Sequence, residues 1–247
     1  MQKISVVTAV FNRHGTVAEA IDSVAAQDHR DVEHVIQDGG STDGTLEVIA
    51  RVAGPKVRLH SEPDGGIYDG INRGIAHTTG DIIGLMHSDD LFADTRVLSW
   101  VAEAMADPDV EGVYGDLDYV AATDTMRVIR RWRAGEYTPA KLRRGWMPPH
   151  PTLYLRREVF DRLGLYNTDF RIAADYDAIL RYLVKGRIRL TYVPRVLVKM
   201  RVGGESNRSL AKIVQKSRED YRAIRANGVG GLGTFALKNL SKIQQFL

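Results

Sequence analysis

Two adjacent carboxylates, Asp89 and Asp90, follow Ile82-Ile83-Gly84-Leu85-Met86, an apolar run short enough to be one buried strand. In an open α/β sheet ligands collect beyond the carboxyl ends of the strands, which is where this pair is delivered. Neighbouring carboxylates repel each other unless a cation or a hydrogen-bond donor lies between them. A hard divalent ion, Mg²⁺ or Mn²⁺, carrying a diphosphate supplies that charge, because such ions take one or two carboxylates plus phosphate oxygens. The competing use of either Asp is as a cap for the next helix.

Two further turns carry polar chemistry. Asp38-Gly39-Gly40-Ser41-Thr42-Asp43-Gly44 lets the backbone approach a ligand, and the Asp38 carboxylate can accept hydrogen bonds from the N–H groups of a base. Capping of the following helix by Ser41, Thr42 or Asp43 explains the same residues. No Lys follows Gly44, so this is not a Walker loop, and the first strand is not followed by Gly-x-Gly-x-x-Gly. In Asp64 to Gly74, residues Asp69, Asn72 and Arg73 share one helical turn. Arg73 suits a phosphate and Asp69 a ribose or sugar hydroxyl, while ordinary i, i+4 pairing on a solvated face is the alternative.

The elements that must position these groups alternate. Strands are predicted at 4–10, 32–36, 57–60 and 82–87, with helices after each turn between them. Thr16 and Glu19 read as a capping box for the first helix. Such alternation implies a mainly parallel sheet. From about residue 110 the pattern changes to strand-like pieces at 112–115, 127–132 and 152–156, then a helix at 175–184 with Tyr176, Ile179, Leu180 and Leu183 on one face. We expect one domain over 1–205, divided near 110, and a helical extension over 206–247.

Composition sets the outer bounds. The chain has 247 residues, 44% hydrophobic and 26% charged, enough for a real core. It has no cysteine, which removes disulfides, thiolate nucleophiles and Cys-ligated zinc and suits a reducing compartment. No apolar run is long enough to span a bilayer, and Met1 leads directly into a strand, so no secretory signal is expected. The formal charge is only +3, but basic residues gather at 127–144 and beyond 205. They form no recognisable nucleic-acid module, and nucleic acid is not an expected partner.

Taken in order, Val7 to Arg13, Gln37 to Thr45, Gly70 to Ile75 and Gly80 to Asp90 resemble the family 2 glycosyltransferases of the GT-A fold, over roughly residues 3–205. The resemblance implies a Rossmann-like nucleotide-binding mixed sheet flanked by helices, and an inverting transfer from a nucleotide sugar, expected to be a UDP-sugar. It implies donor contacts at Thr8, Asn12, Asp38, Asp69, Arg73 and Asp89, with Asp90 on the metal. Ser88 stands where some members carry a third carboxylate. Asp175, in Phe170-Arg-Ile-Ala-Ala-Asp175-Tyr-Asp177, aligns with the catalytic base, and Ala174 replaces a frequent Glu, which leaves Asp177 as a second candidate. Both acids also suit a helix N-terminus.

The second half is then expected to hold the acceptor, a saccharide hydroxyl on a lipid-linked glycan in bacterial surface polysaccharide or lipopolysaccharide assembly. His150, in the proline-stiffened loop Met147 to Thr152, is a candidate acceptor contact, and Arg201 a candidate phosphate contact. Trp132 and Trp146 suit sugar stacking or plain packing. The tail, with Lys212, Lys216, Arg218, Arg222, Arg225, Lys238 and Lys242 among apolar residues, reads either as a membrane-surface element or as a helix packed on the domain. A cytoplasmic protein, at the inner face of the membrane, is the matching location. Two other classes fit the same sheet. A sugar-phosphate nucleotidyltransferase needs a richer glycine loop than Asn12-Arg13-His14-Gly15, and an inactive binding module has no need of intact Asp38, Asp89, Asp90 and Asp175.

Overall fold

The computed structural model describes residues 2–202 and 210–241. The chain runs β1 (Ile4–Val10), α1 (Val17–Ala25), β2 (Val32–Asp38), α2 (Thr45–Val52), β3 (Val57–Ser61), α3 (Ile67–Ala76), β4 (Ile82–Leu85), β5 (Leu91–Phe92) and α4 (Val97–Ala104). The second half runs β6 (Gly112–Val120), β7 (Val128–Trp132), α5 (Pro139–Leu142), β8 (Tyr154–Arg156), α6 (Arg157–Leu163), α7 (Ala174–Leu180), β9 (Leu190–Arg201), α8 (Leu210–Ala226) and α9 (Leu232–Ser241). A single 3-10 turn covers His150–Thr152, and a wider π-helical turn continues α7 over Arg181–Lys185.

One mixed sheet orders the strands β3-β2-β1-β4-β8-β6-β9-β5, with β7 on the free end of β6. β1 pairs in parallel with β2 and β4, as the alternating pattern requires. The change expected near 110 is where the sheet turns mixed, because β8 inserts antiparallel between β4 and β6. β8 is three residues long and covers only Gly112 and Val113, so β7 takes the carboxyl end of β6 instead, from Leu117 to Val120. That end lies on the same side as the carboxyl end of β4.

Helices cover both faces. Val7, Val35, Ile83 and Leu85 pack with α3, α6, α7 and α8 on one face, and Ile4, Val6, Ile82 and Met86 with α1 and α4 on the other. Val10 and Ile36 pack with α1 and Ile49 of α2. Strands buried on both faces read as continuous apolar runs, which is why β1 and β4 lack a polar alternation. Gly84 is dictated by packing, since a Cβ there would lie 2.1 Å from the Tyr154 ring.

The capping box is not formed. The Thr16 hydroxyl is buried without a partner, and Glu19 instead reaches Arg201 of β9 at 2.5 Å. A guanidinium placed by tertiary folding outcompetes a local amide. The tail packs on the second half: Glu219 accepts from the amides of Arg171, Ile172 and Ala173 at the start of α7, and Asn227 donates to Asp177 at 2.8 Å. Of its basic residues, Lys216 and Lys238 are both spent on Asp220 at 2.7 Å. Lys242 lies outside the described residues. No described helix is long and apolar enough to cross a membrane.

Glu33 ties the parallel half together. It accepts from Ser5 Oγ, the amides of Thr79 and Gly80 and the Thr79 hydroxyl, and it pairs with Lys3. Burial alone pushes this carboxyl up, but the hydrogen bonds outweigh it and hold it at about 2. A depressed carboxyl contributes stability above its ordinary value, lost as pH falls toward the folded value. Glu33→Gln is therefore expected to cost roughly 2 kcal/mol at neutral pH, allowing for screening of Lys3 and Arg58. The difference from wild type should shrink as pH falls from 4.5 toward 2. Urea denaturation at several pH values measures it, and a pH-independent difference would contradict the assignment.

Candidate active site

Asp89 and Asp90 leave β4 on a turn closed by the Asp90 amide donating to the His87 carbonyl. β9 completes their setting. The Arg201 amide donates to Asp90 Oδ1 at 3.1 Å, its guanidinium donates to the Asp89 carbonyl at 2.8 Å, and the same guanidinium is neutralised by Glu19. Arg201 is thus a buried clamp on the acidic turn; its charge is committed within the protein rather than offered to phosphate. Residues Gly203 to Ser206 of the expected closing loop lie outside the described residues.

Asp90 is 1% exposed, and its Oδ2 is buried with no hydrogen-bond partner. Burial, and then the Asp89 charge, push its carboxyl well above the ordinary range, with Arg201 opposing. A desolvated carboxylate oxygen with no donor is what a hard cation requires. Among the described residues no group of three or more His, Cys, Asp or Glu can hold a metal. The residues present fit an ion that takes one or two protein carboxylates and completes its shell from the donor's phosphates.

The predicted base is carried by the second half of the chain. Asp175, in the first turn of α7, accepts from the Tyr68 hydroxyl at 3.2 Å, and Tyr68 also donates to the Ile172 carbonyl at 2.8 Å. Burial pushes the Tyr68 hydroxyl well up, and the Asp175 charge adds to it. Two residues feel the carboxylates of both halves. Burial depresses His87 while Asp89 and Asp175 oppose it, and burial raises Tyr119 while Arg130 opposes and Asp90 and Asp175 add to it. Carboxylates separated by some 85 positions in the sequence thus act electrostatically on the same imidazole, Asp89 with Asp175, and on the same phenol, Asp90 with Asp175.

α3 bridges the two halves. Besides Tyr68, its Asn72 makes a two-way amide pair with the backbone of Tyr166, at 2.8 and 3.0 Å. His150 lies with its Nε2 2.9 Å from the Tyr166 hydroxyl and its ring centroid 6.0 Å from that of His87. Burial lowers it to about 4, so it is neutral at pH 7. Glu219 fixes the opposite side of Asp175, since its carboxylate gathers three amides of the turn that carries the Ile172 carbonyl.

The nucleotide-side residues occupy the carboxyl ends of β1, β2 and β3. Asn12, at φ 52°, receives a hydrogen bond from the Thr42 amide and donates its own amide to Ser41 Oγ. Asp38 is buried, and its oxygens accept from the amides of Gly40 and Ser41 and from the Ser61 hydroxyl, so it shapes the turn from beneath. Gly39 and Gly70 both lie against the Asp64 carboxylate, where a Cβ on either would come within 2.7 Å of its Oδ2.

Several expected contacts have other employment. Thr8 is wholly buried, its hydroxyl donating to the Met86 carbonyl at 2.7 Å and lying 2.9 Å from His34 Nε2, so it anchors the start of the acidic turn. Asp69 and Arg73 form the i, i+4 pair at 2.9 Å, and they also bind the Gly65 amide, the Pro63 carbonyl and Glu62. Their charges hold the turn that starts α3. Asp177 is buried, accepting from Asn227 just beyond α8 and pairing with Arg181 at 3.8 Å. Trp146 packs, stacking on Tyr137 and donating to the Ala134 carbonyl, and Trp132 lies against the core. Tyr68, His87, Tyr119 and Glu219 were missed from sequence, and Asn72 was noted beside Asp69 and Arg73 without a role of its own; Tyr68 and Asn72 carry a signal, a tyrosine and an asparagine one turn apart at i and i+4.

Comparison with known proteins agrees with this geometry. The profile of Glycosyl transferase family 2 matches residues 5–164. An uncharacterized glycosyltransferase of Mycobacterium tuberculosis is 32% identical over 186 residues, 72% of this chain and 68% of that one. A PGL/p-HBAD biosynthesis glycosyltransferase of Mycobacterium bovis is 30% identical over 209 residues, 82% and 78% of the two chains. Among solved structures, S. aureus TarS 1-349 with UDP-GlcNAc superposes with a TM-score of 0.73 at 17% identity, covering 92% of this chain and 66% of that one. The mannosyltransferase PcManGT from Pyrobaculum calidifontis, in complex with GDP-Man and Mn²⁺, gives 0.69 at 19% identity, covering 97% and 69%. These likenesses show a GT-A-like fold, a mixed sheet flanked by helices with α8 and α9 at its end. The chain belongs to Glycosyl transferase family 2 and is a nucleotide-sugar-dependent glycosyltransferase.

Proposed function

We propose that this protein is an inverting, metal-dependent glycosyltransferase that moves a sugar from a UDP-sugar to a saccharide hydroxyl on a lipid-linked glycan of the cell surface. The observation that carries the reading is the buried, unpartnered Asp90 Oδ2 beyond the carboxyl end of β4, with Asp175 held by Tyr68 of the donor half. Relatives bind nucleotide sugars, UDP-GlcNAc in TarS and GDP-Man with Mn²⁺ in PcManGT. The Mycobacterium bovis relative carries PGL/p-HBAD biosynthesis in its name, and lipopolysaccharide as the setting draws no support from it.

The donor's base lies over the turn that Asp38 organises, and its diphosphate over Asp89. Asp90, with Asp89 beside it, would hold a divalent ion, whose charge would offset that of the departing diphosphate. Asp175 takes the proton of the acceptor hydroxyl as that oxygen attacks the anomeric carbon from the face opposite the nucleotide. The Tyr68 hydroxyl holds one oxygen of Asp175, leaving the other for the acceptor. His150 and Tyr166, neutral and hydrogen bonded to each other, form an uncharged floor there. Arg201 keeps the Asp89–Asp90 turn in register.

Asp175→Asn is expected to lower kcat by about 10²- to 10⁴-fold with donor KM little changed, since a positioned base contributes that much. A nucleotide-release assay reads both, and near-normal turnover would remove Asp175 from the role. Thermal melts with UDP, GDP, CMP or TDP, each with and without Mn²⁺, test the donor site. Stabilisation by UDP that needs the metal and disappears in Asp90→Ala is expected; stabilisation by GDP alone would change the base, and none by any nucleotide would favour a binding module. Pyrophosphate as the released product would favour a nucleotidyltransferase. Glu219→Ala should lower kcat about tenfold at unchanged donor KM, because misplacing the base affects the chemical step. Glu219→Gln, which keeps one acceptor oxygen, should recover part of the loss; equal falls in kcat and stability for both variants would make Glu219 merely structural.

A further inference from the structure

α9 is inverted relative to an ordinary surface helix. Its one cation, Lys238, points inward and is 4% exposed, while Leu232, Leu237 and Leu240 point outward at 73%, 45% and 58% exposure. The inward side is a built interface. Lys238 Nζ lies 3.4 Å above the Tyr176 ring and 2.7 Å from Asp220, and Gly145, at φ +79°, is close enough to α9 that a Cβ would fall 2.3 Å from Lys238 Cα. So α9 is seated by its polar and aromatic contacts, and its leucines have been left to something outside the chain's described residues. Exposed large apolar side chains grouped on one face mark an interaction surface.

Charge says what that something is. Arg143 and Arg144, both exposed, immediately precede the Gly145 on which α9 rests. No Asp or Glu occurs in the sequence after Asp220, whereas Arg222, Arg225, Lys238 and Lys242 do. An exposed apolar helix face, in a stretch of sequence without acids and resting beside a loop with two exposed arginines, is complementary to a surface that is apolar below and anionic above. We propose that α9 docks this protein on an anionic bilayer through Leu232, Leu237 and Leu240, with Arg143 and Arg144 on the headgroups. The contact is the reverse of the one expected from the tail's composition, since leucines lead and the helix's own lysine is internal. Tyr176, on which Lys238 sits, directly follows Asp175, so docking holds the base a short distance from the surface where a lipid-borne acceptor lies.

The use of this surface rests on the lipid-linked acceptor proposed above, but its test does not. Co-sedimentation of the full chain, without donor or acceptor, with vesicles of phosphatidylcholine alone or mixed with phosphatidylglycerol reads docking directly. Binding to the mixed vesicles only is expected, weakened about tenfold or more by L232D/L240D and by R143A/R144A. High salt should release it in part. L237S serves if the double leucine variant fails to fold, as judged by circular dichroism. Failure of wild type to bind either vesicle overturns the proposal, as does binding unaffected by all three variants. Light scattering that shows a dimer lost in L232D/L240D would assign the leucines to a second copy instead. Absent vesicle binding with intact sugar transfer would leave the glycosyltransferase reading standing, and intact binding without transfer would do the opposite.

Discussion

Asp90 is a carboxylate that the fold desolvates without neutralising. One oxygen receives a single amide from β9, the other receives nothing, and the nearest guanidinium is diverted to Glu19 and a carbonyl. Burying an ionised group unpaired is expensive enough that such a residue protonates or finds a cation. Much of the remaining architecture can be understood as keeping this group in place. Thr8 pins the strand end before it, Arg201 brings β9 across its turn, and α1 gives up a local cap so that Glu19 can balance Arg201. The donor half is thus rigid where the charge is and leaves the charge itself unanswered.

The acceptor half is assembled by a different device. Asp175 is not held by its own helix but by groups from α3 and α8 on either side. Tyr68 reaches it from the donor half and Glu219 organises the turn before it from the tail. Asn72 fixes the distance between the halves by pairing with the backbone of Tyr166 in both directions, which a side-chain amide can do and a carboxylate cannot. Two independent elements thus fix the position of Asp175 and of the turn before it.

How much of this was legible in the sequence follows from what each feature depends on. Alternating buried runs and Gly/Asp turns are local, so β1 to β4 and the Asp89–Asp90 turn could be read directly. Glu19 and Arg201 lie 182 positions apart, and no local pattern distinguishes a capping glutamate from one recruited by a distant arginine. Asp69 and Arg73 show the reverse, since their pairing is the i, i+4 contact that the local spacing offers. β9 contains Pro194, which argues against a central strand; the ladder accommodates it by a bulge, where the partners step from Gly115–Val193 to Asp116–Val196. The tail looked basic and amphipathic, but composition does not say which side of α9 faces inward, and the lysine chose Asp220 and Tyr176.

The carboxylate of Glu219 has a consequence for how the protein comes into being. The stretch that matches the family, 5–164, ends before Asp175, Arg201 and Glu219. A nascent chain that had just emerged through β8 would hold the donor pocket's strands, yet neither its acidic turn nor its base would be locked. The turn before Asp175 has its three amides gathered only once α8 packs on α7. A chain cut short before α8 would thus keep the strands β1 to β4 while losing the carboxylate that organises the turn before Asp175.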